Sequence, residues 1–128
     1  MVTTLDICNF LRKEYNVTNI SPNKNTLGPN DTYRIGVYKY TSYADPFNDL
    51  LENRYSFIVC SNKTNDAETE ALKLYEILRN VEINHIINDH YLIHIEVITE
   101  PTYIGLDDNK NNLFSISTIF HMEKIKEE

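Results

Sequence analysis

His85, His90 and His94 are the residues of this 128-residue chain whose type and closeness first suggest chemistry. Neutral imidazoles are common ligands for zinc and related ions. The spacing argues otherwise, because residues 85 to 94 cross a turn into an extended segment, where side chains four apart do not converge as they do on a helix. His94 and Glu96 fall on one face of that segment and could hold a cation only weakly, so no metal is expected. Asp107, Asp108 and Asn109 gather oxygen ligands in one loop. They lack the D-x-D/N-x-D/N-G order and the closing Glu of an EF-hand, and a plain turn is expected.

Nucleophilic catalysis needs a Ser, Thr or Cys beside an activating base, and neither a G-x-S-x-G elbow nor a Cys-His signature occurs. Three glycines in the whole chain leave no phosphate-cradling loop of the P-loop or dinucleotide kind. Cys8 and Cys60 stand in apolar surroundings without C-x-x-C spacing and read as buried small hydrophobes. The expectation is a protein that is not an enzyme and carries no cofactor.

A formal net charge of -7 and a pI near 5.0 speak against a surface that tracks phosphates, since nucleic-acid affinity rests on Lys and Arg displacing condensed counterions. Sequence-specific nucleic-acid binding is therefore not expected. Met1 to Phe10 has neither the basic start nor the apolar run of a secretory signal, and no stretch is long and apolar enough to cross a membrane. These features predict a chain made and kept in the cytoplasm, with no membrane partner. Its length suits a single domain spanning residues 1–128, with a charged, frayed tail from residue 123.

The nine tyrosines stand out. Asn, Ile and Lys are also abundant, as adenine- and thymine-rich codons produce, and that bias alone would enrich Tyr. Tyr nevertheless supplies large contact area at low entropic cost and is enriched at protein interfaces. Tyr38, Tyr40, Tyr43 and Phe47, with Tyr103, Ile104, Asp107 and Asp108, form the expected contact surface for other protein chains.

The elements that would position these residues can be read from periodicity. Leu5, Cys8, Leu11 and Tyr15 form a helical stripe capped by Thr3 or Thr4. Asn16 to Asp31, rich in Asn and Pro, reads as an exposed loop. Thr32 to Tyr40 alternates as a strand, with Gly36 marking a bulge or a close approach. Residues 41 to 53 read as a long loop and Arg54 to Ser61 as a strand. Asn65 and Glu68 suggest a capping box for a second helix bearing Ala67, Ala71, Leu74, Leu78 and Val81 on one face. Ile83, Ile86 and Ile87 form a short apolar stretch. Tyr91 to Thr99 is a strand with Leu92, His94, Glu96 and Ile98 facing away from Ile93, Ile95 and Val97. Residues 101 to 112 read as a loop, and Leu113 to Met122 as a strand. The order α-β-β-α-β-β predicts an α+β domain: a largely antiparallel four-stranded sheet with two helices packed on one face.

The segment from Pro101 through Tyr103, Gly105 and Asp107-Asp108 to Phe114-Ser115 resembles the corresponding stretch of tail terminator proteins of long-tailed bacteriophages, also known as minor capsid or tail completion proteins. The order of elements resembles that family over nearly the whole chain. One departure is the turn after Asp108, where many relatives carry a Gly and this sequence has Asn109-Lys110-Asn111; Asn tolerates left-handed backbone and would preserve the turn. The resemblance implies a structural protein of the virion tail or neck, or of a phage-derived tail-like particle. It further implies a homohexameric ring that caps the finished tail tube, with the tail tube protein and the head-tail connector protein as partners. In such a ring each copy offers one patch to a different patch on its neighbour, the loops at 41–53 and 101–112 provide reach, and an acidic lumen would follow from the charge.

Two other classes compete with this reading. One is an acidic cytosolic binding or regulatory module that sequesters a basic protein partner. The other is an enzyme built on the face bearing His90, His94 and Glu96.

Overall fold

The computed structural model describes residues 1–82 and 84–126. Ile83, placed above in an apolar stretch, and the last two residues of the charged tail lie outside the described residues. Two helices, α1 (Thr4–Tyr15) and α2 (Thr64–Arg79), accompany seven strands: β1 (Ile20–Pro22), β2 (Arg34–Asp45), β3 (Leu50–Ser61), β4 (Ile86–Ile87), β5 (His90–Val97), β6 (Thr102–Leu106) and β7 (Asn112–Lys124). All seven strands join one curled, half-barrel sheet in the order β1-β2-β3-β7-β5-β4, with β6 also on β7.

This corrects the expected four-stranded, largely antiparallel sheet. The sheet is mixed, since β1 runs parallel to β2 through Ile20↔Ile35 and Pro22↔Val37. The segment 16–31 is therefore not only an exposed loop: Val17 and Ile20 are buried. Left-handed backbone at Asn16, Asn19 and Asn23 turns the chain into and out of β1. Among the described residues, Asn and Asp supply all but one of the non-glycine positive-φ positions. In a chain with three glycines they do the work glycine usually does.

The expected loop at 41–53 is the far half of an antiparallel hairpin, paired without interruption from Thr41↔Arg54 to Asp45↔Leu50. Only residues 46–49 turn, held by the Asp45 carboxylate, which accepts from the Phe47 amide at 2.9 Å and the Asn48 side chain at 2.8 Å. The expected loop at 101–112 contains β6, paired with β7 from Thr102↔Ser115 to Leu106↔Asn112. β5 and β6 lie end to end along the same side of β7. They form one strand broken at residues 98–101, where Pro101 has no amide to give a ladder.

The cores of the elements follow from their sequences. Thr3 caps α1, and a full capping box forms with Asp6. The box anticipated at Asn65 and Glu68 is not made: α2 starts at Thr64, and its N-cap, Lys63, two residues before Asn65, has no side-chain capping bond. Ala67, Ala71, Leu74 and Leu78 are buried as expected, while Val81 lies beyond the helix end and packs on the core only in part. Across the sheet, the rows Ile35–Val59–Phe114 and Val37–Phe57–Ile116 face the helices. Phe114, Ile116, Thr118, Phe120 and Met122 are all buried, as the alternation of β7 demands. The buried apolar side chains form one cluster that includes both helices. β7 continues to Lys124, so the tail is ordered two residues past the expected point of fraying.

Simple alternation fails in β5. A bulge at Ile93 shifts the register between Leu92 and His94, so Leu92 and Ile95, three apart, are both buried. Gly36 fulfils the expected close approach: a Cβ there would meet the Lys24 backbone at 2.9 Å, where the 23–31 segment crosses the outer face of β2.

Candidate assembly surface

His85, His90 and His94, close in sequence, are separated by the fold. His90 is buried, with Nδ1 2.8 Å from the Asn88 carbonyl oxygen. His85 lies 3.0 Å from the Tyr15 hydroxyl and packs edge-on against Phe10, joining the segment after α2 to α1. His94 sits on the outer sheet face and stacks on His121, ring centroids 6.0 Å apart. His121 lies 3.5 Å from Glu52 and 3.3 Å from Glu96. Sequence reasoning missed His121 and Glu52 because they come from β7 and β3, and only the register Glu52↔His121↔His94 sets them side by side. Among the described residues no three His, Cys, Asp or Glu groups are disposed to hold a metal ion.

Cys8 and Cys60 are free and buried, and burial pushes each thiol up to about 11, far from the thiolate a nucleophile needs. The Tyr55 hydroxyl, pushed up to about 12 by burial, donates to the Val2 carbonyl at 3.0 Å. Asn53 donates to the same carbonyl at 3.2 Å, so two buried strand residues tie down the chain's start.

The residues expected at a contact surface divide by position. Tyr38 is half-buried, and its hydroxyl donates to the Asn25 side chain, pinning the 23–31 segment over the sheet. Tyr40, Tyr43 and Phe47 are 62%, 65% and 92% exposed along the β2–β3 hairpin, where Leu50 joins them. Tyr103 and Ile104 are about half exposed on β6, with Leu106 beside them. Asp107 organises the β6–β7 turn: its carboxylate accepts from the amides of Asn109 and Asn111, each at 2.8 Å. The Asn111 amide, first among these bonds, holds the carboxyl below its usual range. Asp108 is exposed. The left-handed residue in this turn is Lys110, φ 61°, and not one of its flanking asparagines.

The two apolar groups occupy opposite ends of the sheet. Leu50 pairs with Glu123 at one end of β7, and Ser61 with Asn112 at the other. The thirteen residues of β7 therefore separate the two turns by roughly 40 Å. Each group also borders an open strand edge. β1 covers only Ile35–Val37 of β2, and β4 covers only His90 and Tyr91 of β5. Among the described residues, Tyr38–Asp45 on one side of the sheet, and Ile93–Val97 of β5 together with β6 on the other, have no second partner strand. Such edges present unpaired amides and carbonyls to any strand that can reach them.

The arrangement offers open strand edge and apolar surface at two separate places. Its fold is found in a protein of assembled particles. The chain superposes on a chain of the solved structure described as "Virion of native gene transfer agent (GTA) particle" with a TM-score of 0.71, covering 95% of both chains at 9% sequence identity. That likeness establishes a shared fold. No family model and no curated protein matches the sequence.

Proposed function

We propose that this chain is a structural protein of a phage-like virion, and within it a tail terminator: a ring that closes the finished tail tube and joins it to the head connector. The supporting observation is the fold likeness to a chain of a gene transfer agent virion over 95% of both chains. The surface suits the role. A ring needs two unlike patches on each copy, one for each neighbour. This chain carries exposed Tyr40, Tyr43 and Phe47 at one end of its sheet and Tyr103, Ile104 and Leu106 at the other. The reach elements of the ring are then β-hairpins, stiffer than the loops expected from the sequence.

Deleting the gene from its phage or particle-producing host tests the role. The terminator reading expects filled heads that fail to join tails, together with tubes of uncontrolled length. Normal particles in normal numbers would contradict it.

A further inference from the structure

We propose that copies of this chain join by strand addition, the free edge of β2 at Thr41–Asp45 in one copy pairing with the free edge of β6 at Thr102–Leu106 in the next. The inference rests on the reading of the chain as a ring-forming virion component and names the surface that reading leaves unassigned.

Open backbone defines the chemistry of the occupant. Past the short cover given by β1, β2 runs on with one side unpaired, and its bulge at Tyr40 lies before the regular stretch Thr41–Asp45. Neither Pro nor Lys, two of the usual guards against strand addition, occurs within that stretch, and its one charge, Asp45, stands at its end. An unpaired edge of this kind is completed by another extended strand, with affinity from main-chain hydrogen bonds and specificity from the flanking side chains.

The choice of a second copy follows from the chain having open edge on both sides of its sheet. On the second side Ile93–Val97 of β5 is open as well as β6, and β6 is the stretch at the end opposite the hairpin, so the paired stretches are Thr41–Asp45 and β6. Each spans five residues and is bordered by exposed aromatic or aliphatic side chains. They lie on opposite sides of the sheet and at opposite ends. Pairing β2 with β2 across a two-fold axis would stop at a dimer and leave Tyr103, Ile104 and Leu106 bare. Head-to-tail pairing covers both patches in every copy and continues until a ring closes. Charge points the same way. In a chain of net charge -7, the hairpin with the end of β7 and the two residues after it (38–54 and 123–126) balances four basic side chains against four acidic ones among the described residues. The β6 end instead carries Glu100, Asp107 and Asp108 against Lys110. The balanced surface is one that can approach the acidic end without net repulsion.

Cross-linking with a short bis-maleimide tests the pairing, since Cys8 and Cys60 are buried and the parent chain serves as the control for them. The variants are Tyr43→Cys, Ile104→Cys and, as a control on the exposed face of α2, Leu72→Cys, with oligomer size followed by light scattering at the highest soluble concentration. The expected result is a covalent dimer from a mixture of Y43C and I104C, none from either alone or with L72C, and a ladder beyond the dimer from the double variant Y43C/I104C. A dimer from Y43C alone would establish two-fold β2 pairing and overturn the inference. An oligomer without the Y43C–I104C link would overturn it too, placing the interface elsewhere while the ring reading stands. A chain that stays monomeric throughout overturns self-pairing by these edges. The virion role would then rest on the deletion phenotype, which does not depend on this contact.

Discussion

At the scale of single residues, the fold turns on a few contacts with clear physical costs. Gly36 has the Lys24 backbone where a side chain would go. Gly36→Ala is expected to destabilise by about 1–3 kcal/mol, the usual penalty for overpacking, read by chemical denaturation. Thr3→Ala removes the side-chain half of the α1 capping box and should cost about 1 kcal/mol, in the same measurement. Asp107 gives a pH dependence whose sign is fixed. Its amide bonds hold the folded carboxyl below the ordinary value of 3.8, so the turn is strengthened above that pH and loses this support as the pH falls through the lower, folded value. Asp107→Asn should flatten that acid limb in thermal melts and speed hydrogen exchange at Asn109 and Asn111, whose amides the carboxylate holds. Much at this scale was legible in the sequence: the Thr3 cap, the buried cysteines and the close approach at Gly36. What escaped were contacts between distant strands. His94 was visible, but its partner His121 is set beside it only by the register of β7, which local periodicity does not encode.

At the scale of elements, long regular stretches were readable and short or irregular ones were not. α1, α2, β3 and β7 have enough residues for their periodicity to stand out. β1 and β4 have three and two residues, too few to show a period. β6 lies among turn formers, next to Pro101, and a shift between Tyr103 and Gly105 breaks its alternation. The outer half of β2 was hidden because both its faces are polar or exposed, so no apolar alternation marks residues 41 to 45 as strand. That property fits the contact role proposed for the β2–β3 hairpin, since its exposed side chains contribute little to the core. Replacing Tyr43 and Phe47 with Ser should leave folding stability within about 0.5 kcal/mol of the parent, by chemical denaturation, while abolishing oligomers in light scattering. A large loss of stability from those substitutions would mean the hairpin is held by contacts within the chain.

At the scale of the molecule, the sequence conveyed a small acidic chain of two helices and several strands, and its resemblance to tail terminators anticipated a fold found in a virion particle. The number of strands, the parallel pair and the curl of the sheet were not legible, because they depend on how short strands complete the edges of a long central hairpin. On the proposed function, the two unlike apolar patches at opposite ends of that curled sheet would be joined in closed, head-to-tail assembly. Negative-stain imaging of the purified protein mixed with tail tubes, built from the tube protein of the same genome, tests this most directly. The account predicts a ring of copies seated on one end of each tube, sixfold in end-on views. Tubes with both ends bare at saturating protein, or copies spread along their length, would contradict it.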